Sequence, residues 1–156
     1  MIWLQQGRAG SECVCPASPA VANLWSRKGY EMDDYQAGME ILRKMLGTER
    51  AEAVIQKFRS LSPVFEMEAV SVVFGRTWSR SSIDLKTRSL CSIGILASLG
   101  RLNALKINFT LAMVNGASLE EIVEALLQVA IYAGYPAALD ALVLLDEVLK
   151  SSGKES

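Results

Sequence analysis

From Asp33 onward, apolar residues recur at intervals of three and four, and each periodic stretch ends at a glycine, a proline or a serine-containing turn. That spacing gathers apolar side chains on one face of a helix. Asp33-Asp34 caps a helix over residues 35–46, with Met39, Leu42, Met45 and Leu46 on one face. Gly47-Thr48 ends it, and Thr48-Glu49-Arg50-Ala51 opens the next, which carries Val54, Ile55, Phe58 and Leu61. Ser62-Pro63 breaks the chain, and Pro63 suits the first turn of a helix from Val64 to about Trp78. Residues 79–83 read as a loop.

Asp84 then opens a long segment of three apolar helices. They are separated by turns at Leu99-Gly100-Arg101-Leu102-Asn103 and Asn115-Gly116-Ala117-Ser118. Asn-Gly suits a left-handed helix C-terminus, and Ser118 with Glu121 three residues later forms a capping box. Ile122, Val123, Leu126, Leu127, Val129 and Ala130 carry the third helix to Gly134-Tyr135-Pro136, which stops it. A final helix runs to about Leu149. No period of two competes anywhere, so the fold class is all-α.

Composition sharpens this picture. A chain of 156 residues is one domain with room for a real core. Apolar residues make up 51%, yet no uninterrupted apolar run reaches membrane-spanning length, so no membrane is expected as a partner. Residues 91–99 and 137–145 are apolar nearly all the way round, the sign of helices buried on several sides. In a small protein that favours a homo-oligomer. A net charge of −1, with no basic run, argues against nucleic acid. Residues 1–30 show no helical period and read as an irregular arm. Either the natural start is Met32, or the arm covers a neighbour's pocket. The helical domain is expected over 31–150, with a polar tail at 151–156. No signal peptide is evident, which leaves the cytoplasm as the expected compartment.

The chain has no histidine, which removes the usual general base near neutral pH and with it triad-type hydrolysis. Its three cysteines, Cys13, Cys15 and Cys91, do not make a zinc ligand set, so no metal is expected. Cys91 reads as a small buried hydrophobe. The glycines are isolated helix stops, without a phosphate loop or dinucleotide fingerprint. A reaction on a small organic acid that needs no cofactor remains. Decarboxylation requires a cation to hold carboxylates, donors for the developing enolate and an acid to return a proton to carbon. Arg76, Arg80, Lys86, Arg88 and Arg101 can supply the first, and Glu68, Tyr132 or Tyr135 the rest. The same residues also have plain structural uses, as helix-end ion pairs, solvated carboxylates and core aromatics.

Three stretches together resemble the carboxymuconolactone decarboxylase family of the alkylhydroperoxidase D-like superfamily. They are Phe74-Gly75 with Trp78, Leu85-Lys86-Thr87-Arg88, and the segment from Asn115 through Tyr132-Ala133-Gly134 to Pro136-Ala137-Ala138. The resemblance extends over roughly residues 34–149. It implies an alkylhydroperoxidase D-like helical bundle and a homo-oligomer, a trimer or hexamer. The peroxidase branch uses a cysteine pair with a Glu and a His; those positions fall on Arg101 and Ala104, on Ser89 and on Asn108. All four are absent, so thiol peroxidase activity is not expected. The decarboxylase branch also commonly carries that His and Glu, which makes this chain a divergent member. Asn108, at the family's polar pocket position, is expected to be catalytic together with Glu68 and Arg80 from the chemical argument above, with Arg88, Ser89, Arg101, Trp78 and Tyr132 binding substrate. The expected function is a cofactor-independent decarboxylase-like lyase, or isomerase, on a small carboxylated cyclic, lactone or phenolic substrate. The alternative is a non-catalytic oligomeric binding or scaffold protein that keeps the fold.

Overall fold

The computed structural model describes residues 32–153. The proposed arm at residues 1–30 lies outside the described residues, as do the last three residues of the polar tail. All the regular structure among the described residues is helical. Helix α1 spans Met32–Leu46, α2 Thr48–Leu61 and α3 Pro63–Glu68. The chain continues from α3 without a break into a π-helical segment, Ala69–Trp78. After a loop come α4 Leu85–Ser98, α5 Leu102–Val114, α6 Leu119–Tyr132 and α7 Tyr135–Ser151. No helix among the described residues is long and apolar enough to cross a membrane.

The helix ends follow the sequence chemistry. Ser62 Oγ accepts from the Phe65 N–H at 3.2 Å with Pro63 in the first turn, and Asp84 Oδ1 accepts from the Thr87 N–H at 2.7 Å. Both satisfy donors that a helix start leaves without intrahelical partners. The Ser118–Glu121 capping box forms as expected. Gly116 takes the left-handed conformation after α5, with φ of 91°, and the Ala117 N–H turns back to the Ala112 carbonyl at 2.9 Å. A Cβ is unfavourable at that φ, which is why the Asn-Gly pair ends the helix so sharply. Asp33 and Asp34 lie inside the first turn of α1, where their charge favours the helix start.

Two hydrophobic clusters hold the molecule. The larger one joins α4 to α7 around Ile93, Leu105, Phe109, Ile122 and Leu126, all at or near zero exposure. Helix α4 packs on α5 and α6, and α7 closes the bundle against α5 and α6. The smaller cluster, Leu42, Ala51, Ile55 and Val70, joins α1, α2 and the π-helical segment. The apolar stripes of α4 and α7 are only half used. Ile95 and Leu99 stay 60% and 65% exposed, and Leu139 and Val143 are also exposed. Cys91, expected to be buried, is exposed too. Ile93 and Ala97 fill the side of α4 that meets its neighbours, and Cys91, Ile95 and Leu99, four apart, stand together on another side.

The π-helical segment was not foreseen, and its packing explains it. Val70 and Gly75 are both buried against α1, although residues five apart on an α-helix point about 140° away from each other. Widening the turn to five-residue hydrogen bonds brings both onto one side; the Ser79 N–H accordingly donates to the Phe74 carbonyl at 2.9 Å. Gly38 and Gly75 let the two backbones touch. A Cβ on Gly75 would lie 2.0 Å from the Asp34 carbonyl oxygen, and one on Gly38 would lie 2.1 Å from that of Val70. Arg76 Nε donates to Asp34 Oδ2 at 2.7 Å beside this contact.

Candidate functional site

The start of α4 gathers more polar chemistry than any other part of the bundle. Lys86 Nζ donates to Glu121 Oε1 at 2.7 Å, while Glu121 Oε2 accepts from the Ser118 N–H at 2.9 Å. One carboxylate therefore caps α6 and ties it to α4. The Lys86 ammonium and the Ser118 N–H hold Glu121 below the usual carboxylate range, and Glu121 in turn raises the Lys86 pKa. Thr87 donors likewise lower Asp84. The capping box is legible in the sequence, but Lys86, a candidate there for holding substrate carboxylates, is instead paired with Glu121. A partner 35 residues away leaves no local signal.

Ser89 is fully buried and spends its hydroxyl twice. It donates to the Leu85 carbonyl at 2.8 Å and accepts from Asn115 Nδ2 at 2.9 Å. Asn115, a turn former and part of the family-like segment in the sequence, is also the residue that reaches the Ser89 position. Arg88, next along, is half-buried. Its Nη2 donates to the Arg80 carbonyl at 2.9 Å, which brings the loop after the π-helical segment onto α4. The Arg88 Nε is buried and has no hydrogen-bond partner among the described residues, and no acidic side chain among them pairs with this guanidinium.

The other expected residues stand elsewhere. Asn108 donates its Nδ2 to the Ala104 carbonyl at 2.9 Å, one turn back in its own helix. Arg101 is exposed at the start of α5, 12 residues from Ser89 along the hairpin, or roughly 18 Å at helical rise. Tyr132, at the far end of α6, is 85% exposed. Trp78 is half-buried at the end of the π-helical segment, and Glu68 is exposed. Among the described residues, Glu68, Asn108 and Arg101 share no hydrogen bond or ion pair with Arg80 or Arg88.

The carboxylate that the N-terminal helices do bury is Glu66, two residues before Glu68. Its side chain is 5% exposed and pairs with Arg59, whose Nη2 lies 3.2 Å from Oε1. The Tyr35 hydroxyl donates to the same oxygen. That hydroxyl, followed by Arg59, holds Glu66 below the usual carboxylate range against the opposing effect of burial. Burial and the neighbouring Glu66 push Tyr35 up. A phenol with a raised pKa keeps its proton near neutral pH, so this cluster clasps α1, α2 and α3 together rather than supplying a base.

One groove of about 490 Å³ opens between α4 and α6, lined by Leu90, Glu120, Glu121, Glu124, Ala125 and Gln128. It is shallow and acidic, and none of the expected catalytic residues lines it. Glu121 is neutralised by Lys86, and the remaining carboxylates of Glu120 and Glu124 beside an apolar floor repel an anionic ligand. Among the described residues no cluster of three His, Cys, Asp or Glu side chains is placed to hold a metal ion.

Comparison with known proteins adds the context of relatives. The chain is 29% identical over 119 residues to a 4-carboxymuconolactone decarboxylase of Acinetobacter baylyi, covering 76% of this chain and 89% of that protein. It is 24% identical over 115 residues to a nitrosuccinic acid decarboxylase of Metarhizium robertsii, covering 74% and 80% respectively. An uncharacterized 15.0 kDa protein from the nqo9–nqo10 intergenic region of Paracoccus denitrificans is 29% identical over 103 residues, or 65% of this chain and 77% of that one. The profile of the carboxymuconolactone decarboxylase family matches residues 67–147, just over half of the chain, from the end of α3 to near the end of α7. On that match, this protein belongs to the carboxymuconolactone decarboxylase family.

Proposed function

We propose that this protein is a cofactor-independent decarboxylase-like lyase, or isomerase, acting on a small carboxylated cyclic, lactone or phenolic substrate. The observation that carries the reading is Arg88. It is a half-buried guanidinium oriented by the Arg80 carbonyl, with a spare Nε and no acidic partner among the described residues. A buried donor left unpaired is costly, and a ligand carboxylate supplies the missing acceptor with opposite charge. Relatives named as decarboxylases of carboxymuconolactone and of nitrosuccinic acid support the reaction class.

In the proposed reaction a carbon–carbon bond to a carboxylate breaks and carbon dioxide leaves. The electron pair moves into a neighbouring carbonyl to give an enolate, and a proton returns to carbon. Arg88 and Arg80 hold a carboxylate, and the Asn108 amide leaves the Ala104 carbonyl to donate to the enolate oxygen. Glu68, protonated from solvent, returns the proton. The further binding residues, Ser89, Arg101, Trp78 and Tyr132, stand apart within one chain, so in this reading they complete the surface only where assembly and local rearrangement bring them to the ligand. Asn108 donates a hydrogen bond but cannot shuttle a proton, so proton return falls to another group. The domain that does this is residues 31–150, assembled as a homo-oligomer, a trimer or hexamer, whose contacts cover the open apolar faces of α4 and α7.

The second reading is a non-catalytic oligomeric scaffold. It is favoured by Asn108 resting on its own helix and by Glu68 standing in solvent. A thermal-shift screen of small lactone, keto and phenolic carboxylic acids separates the two. Ligand bound at about 100 times its Kd adds about 2.7 kcal/mol to the native state. We expect at least one acid to raise the melting temperature of wild type and to lose that effect in Arg88→Ala. No shift by any acid, with the protein folded, supports the scaffold.

A further inference from the structure

The two halves of the α4–α7 bundle carry opposite charge. From Leu85 through Ser118 the chain holds Lys86, Arg88, Arg101 and Lys106 and no acidic residue. From Leu119 through Ser151 it holds Glu120, Glu121, Glu124, Asp140, Asp146 and Glu147 against Lys150 alone. Some of this charge is paired within the chain, Lys86 with Glu121 and Lys150 with Asp146. Lys106, Glu120 and Glu124 are exposed and make no ion pair among the described residues.

These free charges sit on surfaces of matching form. Asn103, Lys106, Ile107, Thr110 and Val114 are exposed at helical spacing along α5 and make a ridge. Its two apolar members are large and open, Ile107 at 63% and Val114 at 55%. The groove between α4 and α6 is the counterpart, with Leu90 and Ala125 as an apolar floor and Glu120 and Glu124 beside it. One turn on from Leu90, a Cβ added at Gly94 would meet nothing within 4 Å, so α4 offers open space there as well. A helical ridge with apolar anchors and a cation fits an apolar groove with anions along its edge.

We infer that the α5 ridge of one copy docks into the α4–α6 groove of a second copy, with Lys106 facing Glu124 and Ile107 covering the Leu90–Ala125 floor. The inference rests on the homo-oligomer in the function proposed above and names one pair of contact surfaces in it, separate from the open apolar faces of α4 and α7. The ridge and the groove are different patches of the same chain, so each copy offers one of each. Such head-to-tail contacts close into a ring when the rotation permits. Carboxylates around the groove make an anionic small molecule a poor occupant and a cationic protein surface a good one.

Charge reversal with rescue tests this on the full chain. The mass in solution is measured by light scattering at low micromolar protein, at about 50 and about 500 mM salt, across which screening of exposed charges rises steeply. Wild type is expected to assemble, more tightly at low salt. Glu120→Lys/Glu124→Lys and, separately, Lys106→Glu are expected to raise the dissociation constant at least about tenfold, through like charges facing each other. Combining Lys106→Glu with Glu124→Lys is expected to restore assembly. Ile107→Ser, which leaves the charges intact, is expected to weaken it at both salt concentrations. All these positions are exposed, and circular dichroism checks that each variant stays helical. A monomeric wild type overturns both this interface and the homo-oligomer. An assembled wild type whose charge-reversed variants keep the same mass overturns this interface alone.

Discussion

Gly75→Ala is expected to destabilise the fold by about 3 kcal/mol or more, at the upper end of what overpacking costs. The new Cβ would sit 2.0 Å from the Asp34 carbonyl oxygen and 2.8 Å from its carbonyl carbon. Backbone atoms cannot rotate out of the way as a side chain can. Helix α1 must therefore move off the π-helical segment, which opens the Leu42–Val70 cluster and strains the Arg76–Asp34 ion pair. The urea midpoint of Gly75→Ala, measured beside Gly94→Ala, checks this. Gly94 is helical but has open space at its Cβ, so alanine there is expected to be neutral or mildly stabilising by propensity. Equal midpoints for the two variants would show that the α1 contact is not as close as described.

Glu66→Gln is expected to cost about 2 kcal/mol at neutral pH, the scale of hydrogen bonds to a charged group. The cost stays modest because Arg59 is half-exposed and solvent screens its attraction. The Tyr35 hydroxyl, Arg59 and Glu66 join three helices, so the loss should appear as global destabilisation. The sign of the pH dependence follows from the direction of the shift. The Glu66 pKa is lowered on folding, so the unfolded chain binds the proton more readily. The carboxylate's contribution is therefore complete above the ordinary glutamate value of about 4.3. It fades as pH falls through the lowered folded value. Denaturant titrations of wild type and Glu66→Gln should accordingly differ most near pH 7 and converge in acid. A gap that widens in acid would mean that the clasp holds the neutral acid instead.

What the sequence made legible, and what it did not, divides along physical lines. Features set by neighbours in the chain were readable. The Ser118 cap, Pro63 in a first turn and the Asn115-Gly116 stop each rest on chemistry within a few residues of the chain. The buried stripe of α6 was equally plain because one helix period accounts for Ile122, Leu126 and Val129. The π-helical turn was hidden, since Val70 and Gly75 fit no α-period and only their shared contact with α1 explains them. Gly75 was noticed only as part of a family motif, without its reason. The apolar runs of α4 and α7 suggest helices buried on several sides, and within the chain one side of each stays open.

The site was less legible than the fold for the same reason. The Ser89 and Asn108 positions followed from the resemblance, but their partners depend on tertiary geometry. Ser89 meets Asn115, 26 residues away, while Asn108 meets its own helix. The pairing of Lys86 with Glu121 and the Tyr35–Glu66–Arg59 clasp join residues 31 to 35 positions apart, or Arg59 and Glu66 across the α2–α3 corner. Nothing in the local pattern singles out Glu66 over Glu68 as the buried carboxylate. That choice is made by where α3 rests on α1 and α2.

The most direct test of the proposed lyase is carbon dioxide release from small lactone and keto carboxylic acids by purified protein, treated with chelator and given no cofactor. Turnover by wild type is expected, with kcat/KM reduced at least about tenfold in Arg88→Ala, the size of one lost charge-assisted contact. Release of carbon dioxide by neither protein, from any acid that binds wild type in the thermal-shift screen, would contradict the lyase reading.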